Sequence, residues 1–363
     1  MQEREKIKQL FERYRAGRCT PEEQARLHEW FNRYAGHEAS GLEDLKAIFE
    51  AEQAATRRRG FGWLPYAAAV LLVAILAGYF AVVNRQSIVE STSVADILPG
   101  GNRAILTLAD GRTVDLSEAQ AGIIIGNGIT YLDGSTVLSE TVSTGDREEP
   151  HKLTPSQTHT LTTPKGGTYQ ITLPDGTKVW LNAASTLTYP QRFASDKRIV
   201  EIEGEGYFSV ARDVKRPFCV ISRGQEIEVL GTEFNVSAYA DDSVVKTTLV
   251  EGSVRLRTGD ASEILLSGEQ AVLANNYINK KEVDIAPYVA WKNGDFYFDN
   301  TPLIDMMKEI SRWYSVEVIY ETGIPQEYFS GGMSRNVSLQ TVLKLLRISE
   351  VKYRIEKSRL IIQ

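Results

Sequence analysis

The chain has 363 residues, of which 42% are hydrophobic, and it carries a net charge of -6 with an isoelectric point near 5.5. This length exceeds what one compact core normally holds, so more than one domain is expected. Because Lys and Arg are spread along the chain instead of clustered, the composition argues against a nucleic-acid-binding surface, and no direct nucleic-acid partner is expected.

Two stripes of apolar residues with helical spacing mark the amino-terminal region. Their members are Ile7, Leu10, Phe11 and Tyr14, followed by Leu27, Trp30, Phe31 and Tyr34. A capping pattern at 40–43 opens a third helix, so residues 1–56 are interpreted as a small all-α domain. Three short helices bury little apolar surface, which suggests that a partner completes the stripe. A self-contained three-helix core fits the same pattern equally well.

The segment from Trp63 to Val83 contains 21 residues without a charge, long enough for one transmembrane helix. It is too far from the amino terminus for a signal peptide, since about 60 mostly polar residues precede it. Three arginines at 57–59 precede it and only Arg85 follows closely, so the amino terminus is predicted to be cytoplasmic. The sequence predicts a single-pass protein of the inner (cytoplasmic) membrane whose residues beyond about 85 are periplasmic.

Cysteine and histidine are sparse. Cys19 and Cys219 are predicted to lie on opposite sides of the membrane and cannot pair within one chain. The four histidines do not join them at any metal-ligand spacing: His28, His37, His151 and His159. No metal and no cofactor are expected.

The exported part begins with an internal repeat. PGGNRAILTLADGRTVDL, residues 99–116, matches PKGGTYQITLPDGTKVWL, residues 164–181, at eight of eighteen positions. Each copy is an alternating strand, an Asp-Gly turn and a second strand, which predicts a hairpin. Residues 95–138 are therefore interpreted as a first β repeat.

A Thr-, Ser- and Pro-rich stretch, 139–163, is predicted to be a linker. Alternating strands then continue from 164 to 275, which predicts an all-β domain; their even spacing fits a solenoid or a sandwich. Residues 291–363 change to mixed helical and strand patterns, including a helix opened by Thr301-Pro302 and another over 338–348, and they predict a separate α+β domain.

Several blocks in this order resemble the FecR family of transmembrane anti-sigma factors. They are YRAGRCTPEEQARLHEWF before the membrane segment, TPKGGTYQITLPDGTKVWLNAASTLTYP, EGEGYFSV, VLGTEFNV and TLVEGSV after it, and WKNGDFYFDNTPLIDMMKEISRWY and YFSGGMSRNVSLQTVLKLL near the end. The resemblance implies a solenoid-like β domain and a C-terminal fold like the signalling domain of TonB-dependent transducers.

The resemblance also implies a mechanism and partners. The cytoplasmic helices would hold an ECF sigma factor, and the periplasmic part would receive a signal from the N-terminal signalling domain of a TonB-dependent outer-membrane transporter, with release through envelope proteases. Membrane lipid surrounds the spanning helix. Five residues are predicted to include sigma-binding positions, although packing within the helical domain explains each of them as well: Leu10, Tyr14, Leu27, Trp30 and Phe31.

Gly231-Thr232 stands where some members of the family are thought to cleave themselves by an N-to-O acyl shift. A threonine hydroxyl can attack the preceding carbonyl carbon, and glycine there removes steric resistance. The preferred interpretation is the ordinary one, in which glycine makes a turn and the β-branched threonine starts a strand.

Two other function classes compete with this interpretation. A periplasmic hydrolase would need paired carboxylates, and Glu201, Glu203 and Glu205 lie close together, but alternation places all three on one strand face, where repulsion favours exposure to water. No common catalytic motif accompanies them, so the protein is not expected to be an enzyme. A membrane-anchored periplasmic binding or scaffold protein explains the β regions but leaves the cytoplasmic helices without a role.

Overall fold

The computed structural model of the chain describes residues 96–126, 128–138, 158–349 and 351–363. The predicted helical domain at 1–56 and the predicted membrane helix at 63–83 lie outside these residues. Within them, no helix is long and apolar enough to cross a membrane. The described residues are mostly β-strand with few helices, and they belong to one compact unit of the chain.

The first nineteen strands of the described residues form a β region. They are β1 (Gly101–Asn102), β2 (Ile105–Thr107), β3 (Thr113–Asp115), β4 (Gly122–Ile125), β5 (Ile129–Tyr131), β6 (Thr136–Leu138), β7 (Thr158–Thr163), β8 (Gly167–Thr172), β9 (Lys178–Leu181), β10 (Ser185–Pro190), β11 (Arg198–Ser209), β12 (Phe218–Ser222), β13 (Gln225–Val229), β14 (Glu233–Ala238), β15 (Val245–Glu251), β16 (Ser253–Thr258), β17 (Ala261–Leu266), β18 (Glu269–Ala274) and β19 (Tyr277–Glu282).

Eighteen of these strands pair into two sheets around one apolar core, and β1 pairs in parallel with β8. The first sheet has the order β3-β2-β7-β10-β11-β12-β13-β16-β17, and the second has the order β6-β5-β4-β8-β9-β11-β14-β15-β18-β19. From β12 onward the chain alternates between them one hairpin at a time. Each hairpin therefore extends both the sheet it joins and the core that its inward side chains share.

Strand β11 belongs to both sheets. Its first part, up to Glu203, pairs with β10, and its second part, from Gly204, pairs with β9 and β14. Gly204 marks the change, with φ of 83°. A side chain there would meet the Ser185 Oγ at 2.5 Å and the Ala184 carbonyl oxygen at 2.7 Å, so this crossing needs glycine for both conformation and space.

The two predicted repeat hairpins are confirmed. β2 pairs with β3 and β8 pairs with β9, both antiparallel. Gly111 and Gly176 have nearly equal φ, 86° and 84°, and the aspartate before each glycine accepts a hydrogen bond from the backbone N–H two residues later. The two copies nevertheless lie in different sheets, so they share the hairpin structure but not the same position in the fold.

Two boundaries differ from the sequence predictions. The last six residues of the predicted linker 139–163 form β7, which pairs with both β10 and β2; residues 139–157 are outside the described part. The β region also continues beyond 275, because β19 pairs along its length with β18. The sequence did not predict β7 and β19 as strands because both are rich in polar residues, so apolar and polar residues do not alternate clearly along them.

The C-terminal region begins with a short connection and continues as an α+β arrangement. Its elements are α1 (Ala286–Val289), a 3₁₀ turn (Ala290–Asn293), β20 (Asp295–Pro302), α2 (Leu303–Tyr314), β21 (Glu317–Tyr320), β22 (Tyr328–Ser334), α3 (Leu339–Ile348), β23 (Tyr353–Glu356) and β24 (Arg359–Ile362). β20 pairs with β22, and β24 lies between β21 and β23. The two predicted helices are confirmed within about two residues, although β20 runs on to Pro302, where the first helix was predicted to start.

A second core holds this region together. The apolar faces of α2 and α3 pack with residues of the strands, including Phe296, Met306, Trp313 and Leu360. Ala183, from the loop after β9, belongs to the same core although it lies in the β region. The two regions are therefore packed against each other and not merely joined in sequence.

Candidate functional site

The structure places only one pair of the predicted site residues. Gly231 and Thr232 lie between β13 and β14. The predicted sigma-binding residues and the predicted membrane-helix ends fall outside the described residues; they are Leu10, Tyr14, Leu27, Trp30, Phe31, Trp63 and Val83.

Gly231 has no room for a side chain, because a Cβ atom there would lie 2.8 Å from the Arg212 Cα. The Thr232 hydroxyl is buried and donates a hydrogen bond to the Ser253 carbonyl, with 3.0 Å between the oxygens. The Thr232 carbonyl in turn accepts from the Val210 N–H at 3.0 Å. These contacts give both residues a structural role at the start of β14, in line with the preferred interpretation, and self-cleavage at this bond stays an untested alternative.

A buried polar network joins the β region to the C-terminal region. At its centre is the Glu205 carboxylate, which accepts hydrogen bonds from the side-chain amides of Asn182, at 2.7 Å, and Asn235, at 2.9 Å. Each of these amides also accepts a hydrogen bond through its side-chain oxygen, from a residue near or in the C-terminal region. The Asn182 Oδ1 accepts from the Arg335 guanidinium at 2.9 Å, and the Asn235 Oδ1 accepts from the Trp291 indole N–H at 3.1 Å. We call these five residues the junction network.

Arg335 crosses from the C-terminal region into this network with only 2% of its surface exposed. Its guanidinium lies 4.8 Å from the Phe296 ring centroid and 4.6 Å from that of Trp313, close enough for cation-π attraction. Its Nε atom has no hydrogen-bond partner among the described residues. Burial lowers the Arg335 pKa, although Glu309 and Glu205 oppose this, so the cation is held by rings and carboxylates at a substantial desolvation cost.

Glu309, on α2, is the second acidic group beside Arg335. Burial raises its pKa to about 7, Glu205 adds to the increase, and Arg335 and Arg312 act against it. Burial also raises the pKa of Glu205. The junction therefore contains an acid that changes protonation near neutral pH, where ordinary carboxyl groups are fully ionised.

Arg312 and Lys308, also on α2, form the rim of the junction. The Arg312 guanidinium lies 2.8 Å from an Asp241 carboxylate oxygen and 3.3 Å from one of Asp242, and it stacks 3.5 Å from the Tyr239 ring centroid. The Lys308 ammonium lies 2.7 Å from the same Asp242 oxygen. Both cations of α2 thus bind the loop that follows β14.

The connection between the regions is itself bound to the β region. The Lys292 ammonium lies 4.7 Å from the Trp180 ring centroid and 4.0 Å from that of Tyr207. The Tyr207 hydroxyl donates to Glu233 at 2.6 Å, and this bond is the main cause that lowers the Glu233 pKa. Because Trp291 is bonded in the junction network, two successive residues fix the connection in place.

Comparison with known proteins gives matches over both regions. The family model described as FecR protein matches residues 159–255, and the model described as FecR, C-terminal matches residues 295–362. A crystal structure at 1.65 Å, assigned as an anti-sigma factor from Parabacteroides distasonis ATCC 8503, is 36% identical, with a TM-score of 0.53; the match covers 56% of this chain and 98% of that one. A second crystal structure with the same assignment and source, at 2.50 Å, is 35% identical with the same coverage and TM-score. No curated protein matches the chain.

This chain belongs to the FecR family of anti-sigma factors. In this FecR-family protein the junction network lies where the two matched regions meet. Asn182, Glu205 and Asn235 belong to the first match and Arg335 to the second, while Trp291 lies in the sequence between them. The network therefore joins the two family regions through side chains that come from both.

The three glutamates of β11 in the FecR-family protein do not behave alike, contrary to the sequence prediction. Glu201 and Glu203 are exposed, as predicted. Glu205 follows the Gly204 crossing and lies in the junction network, bonded to two amides. Its hydrogen-bond partners are the side-chain amides of Asn182 and Asn235, which hold it at the junction of the two regions.

One group of possible metal ligands occurs in the described part of the chain. The ligand atoms of Cys219, Glu226 and Glu228, on the hairpin β12–β13, lie within 4.8 Å of one another. Burial raises the Cys219 pKa to about 11, so the thiol is protonated at neutral pH. Glu228 is already paired with Arg255 at 2.8 Å and Arg257 at 3.5 Å. This chemistry suits a salt-bridged hairpin better than a metal centre.

Proposed function

We propose that this FecR-family protein is a transmembrane anti-sigma factor that binds an ECF sigma factor through residues 1–56. It crosses the inner membrane once, at 63–83, and holds its β region and C-terminal region in the periplasm. In this proposal it receives a signal from the N-terminal signalling domain of a TonB-dependent outer-membrane transporter, and envelope proteases release the sigma factor.

The observation that carries the proposal is the relative assigned as an anti-sigma factor, which is 36% identical and almost wholly covered by this chain. The order of the sequence features supports the rest. A helical stripe that suits a partner comes first, then an uncharged 21-residue segment, then the two FecR regions. An anti-sigma factor acts by binding, so the proposal assigns no catalytic step.

The two edge strands of the small sheet in the C-terminal region support the proposed contact with a transporter domain. β21 and β23 are the outer strands of the three-stranded sheet, and an outer strand can pair with a strand of another protein. The junction network supports a relay, because it holds the C-terminal region to the β region through a few specific bonds.

The test is capture of ECF sigma factors by the full-length protein, compared with a double variant, Trp30→Ala with Phe31→Ala. We expect selective capture by the unchanged protein and at least tenfold weaker capture by the double variant, since buried aromatics dominate many interfaces. Tyr277→Ala serves as the control, because Tyr277 is 72% exposed on the β region.

Two outcomes contradict parts of the proposal. If the double variant keeps its helical content and captures sigma as well as the unchanged protein does, the two aromatics are not the binding residues. If the folded full-length protein captures no ECF sigma factor, the anti-sigma proposal fails and a membrane-anchored periplasmic scaffold becomes the better hypothesis.

A further inference from the structure

Strand β17 is the last strand of the first sheet, and among the described residues it pairs with β16 alone. In an antiparallel pair, alternate residues direct both their N–H and their C=O groups away from the neighbouring strand. The Ile264 carbonyl and the Leu266 N–H lie two positions apart, and both bond to groups outside β16. They therefore belong to the free side of β17, which is a template to which another strand can pair.

The side chains along this edge are apolar. Leu265 lies in the core, so alternation places Ile264 and Leu266 on the outer face of β17. They are 50% and 60% exposed. The last strand of the second sheet, β19, instead ends in Asn-Lys-Lys-Glu. An exposed edge strand with large aliphatic side chains favours association with another strand, so β17 is the edge that needs protection.

Two charged side chains from the second sheet occupy the free backbone groups of β17. The Glu269 carboxylate accepts a hydrogen bond from the Leu266 N–H at 2.7 Å, and the Lys280 ammonium donates one to the Ile264 carbonyl at 3.2 Å. The ammonium also lies 3.4 Å from the other Glu269 oxygen. The Leu266 bond is the main cause that lowers the Glu269 pKa. We call Glu269 and Lys280 the edge pair.

Lys280 occupies a position where the fold would otherwise place an apolar residue. Ile278, two residues earlier on β19, belongs to the core, and so does Ala271, which lies opposite Lys280 in the register. Lys280 is therefore on the core-facing side of β19. An inward-pointing charge near a sheet edge is one of the ways in which β proteins prevent an edge from pairing. A strand that added to β17 would displace both charged groups from its backbone.

We propose that the edge pair keeps β17 unpaired, and that β17 of a second copy of this chain adds to it when the edge pair is lost. In an antiparallel, two-fold symmetric arrangement, Ile264 of one copy lies opposite Ile264 of the other, and Leu266 lies opposite Ser262. On the outer face, these directly opposed pairs contain no two groups of like charge. The aliphatic side chains that are exposed in one copy cover each other in two.

The charges beside this row also favour a second copy over a charged partner. Arg255 and Arg257 lie opposite Ile264 and Ser262 on β16. Both arginines are paired with Glu228, at 2.8 Å and 3.5 Å. The outer face next to β17 thus offers neutralised cations and an apolar row, which suits an identical apolar edge better than an acidic or basic strand.

The test is the protein molar mass of the full-length protein in detergent, measured by light scattering over a concentration series. The double variant Glu269→Ala with Lys280→Ala should reach about twice the mass of the unchanged protein, since two-fold pairing closes at two copies. The control is Lys281→Ala with Glu282→Ala, which removes the same two charges and leaves the edge pair in place. Its mass should equal that of the unchanged protein.

A third change identifies the strand through which the copies associate. Ile264→Lys, added to the double variant, places two ammonium groups opposite each other on the two-fold axis and should restore the mass of the unchanged protein. Lys280→Ala alone covers the case in which the double variant does not fold. It removes an exposed side chain and should associate at higher concentration than the double variant does.

Three results would overturn the proposal. The first is that both edge-pair variants have the same mass as the unchanged protein over the whole series. The second is that the control associates as strongly as the double variant, and the third is that Ile264→Lys leaves the association intact. The outcome does not depend on the proposed function, because no sigma factor is present in the measurement.

Discussion

Arg198 and Asp175 form an ion pair that is almost removed from water, with 1% and 4% of their side chains exposed. The guanidinium lies 2.7 Å from the carboxylate and also donates to the carbonyls of Ala211 and Arg216. The pair fixes the start of β11 to the turn of the second repeat hairpin. Its sequence separation of 23 residues hides it from motif searches, although the Asp-Gly turn itself was predictable.

Removing the cation from this pair should be costly. We expect Arg198→Ala to lower the free energy of unfolding by about 3 to 5 kcal/mol, because it leaves the Asp175 carboxylate buried without its counter-ion. Arg103→Ala, which removes an exposed pair with Glu118, should lower it by less than about 1 kcal/mol. Urea denaturation at pH 7 measures both. Equal effects would mean that burial does not set the strength of the Arg198 pair.

The raised pKa of Glu309 predicts a pH dependence of stability. The folded protein keeps a proton on Glu309 up to a pH of about 7, whereas the unfolded chain loses it near 4.5. The folded state therefore binds more protons between these values, and the contribution of Glu309 to stability falls as pH rises through this window, by on the order of 1 to 3 kcal/mol. We expect Glu309→Gln to flatten the profile of unfolding free energy between pH 5 and 7.

Glu282→Gln is the matched control for that profile, because Glu282 is exposed. It should leave the slope unchanged. A slope that is the same in Glu309→Gln as in the unchanged protein would show that Glu309 does not titrate in this window.

Thr232 can be tested for its structural role. We expect the unchanged protein to remain one chain and Thr232→Ala to lower the free energy of unfolding by about 1 kcal/mol, because the mutation removes the hydrogen bond from the buried Thr232 hydroxyl to the Ser253 carbonyl. Mass spectrometry of the intact protein and thermal unfolding measure the two results. Two fragments that meet at Thr232 in the unchanged protein, absent in Thr232→Ala, would show self-cleavage instead.

At the scale of elements, alternation of apolar and polar residues predicted most strands because each has one face on the core. It failed where that alternation is weak. β7 reads Thr-His-Thr-Leu-Thr-Thr and β19 ends in Asn-Lys-Lys-Glu, so their composition resembles a loop although their backbones pair fully. Alternation also predicted that Glu205 is exposed to water like Glu201, which is wrong because the C-terminal region covers Glu205, whose partner Asn182 binds Arg335.

The crossing at Gly204 can be tested against a glycine of the same conformation. Gly204 and Gly224 have φ of 83° and 82°, but a Cβ at Gly224 meets nothing within 4 Å. We expect Gly224→Ala to lower the free energy of unfolding by about 1 kcal/mol, from conformation alone. Gly204→Ala should cost about 3 kcal/mol or more, because overpacking adds to that strain.

Chemical denaturation of both variants measures the difference, which is the energetic effect of the limited space at the crossing. Equal losses of stability would mean that β11 can shift away from Ser185 without cost. In that case the crossing is less rigid than its contacts indicate.

At the scale of the whole molecule, the sequence predicted the order of the regions but not their junction. Asn182 and Arg335 are 153 positions apart, and no local pattern connects them. An arginine after a strand reads as a surface residue, since arginine is seldom fully buried unless paired. Only the fold shows that Arg335 passes between Phe296 and Trp313 to reach an amide of the β region.

Arg335 should couple the unfolding of the two regions. We expect Arg335→Ala to lower the free energy of unfolding by about 3 to 5 kcal/mol, because Asn182 loses its donor and Glu205 and Glu309 lose a buried cation that opposes the rise of their pKa. We also expect the β region and the C-terminal region of this variant to unfold in two separate calorimetric transitions, whereas those of the unchanged protein unfold in one. Arg354→Ala, at an exposed arginine of the C-terminal sheet, is the control and should keep a single step.

The first turn of α3 is bonded to the start of the described chain, because the Leu339 N–H donates to the Ile97 carbonyl at 2.9 Å and the Gln340 N–H donates to the Asp96 carboxylate at 3.2 Å. This has a consequence for the order in which the molecule is completed. A ribosome makes residues 96 and 97 about 240 positions before it makes α3, and domains of a growing chain generally form from the amino-terminal side. Through all of that synthesis their final partner does not exist. Residues 96 and 97 are thus among the first parts of the described chain to be made and reach their final bonds only when α3 forms, so a prematurely terminated chain leaves them without these partners.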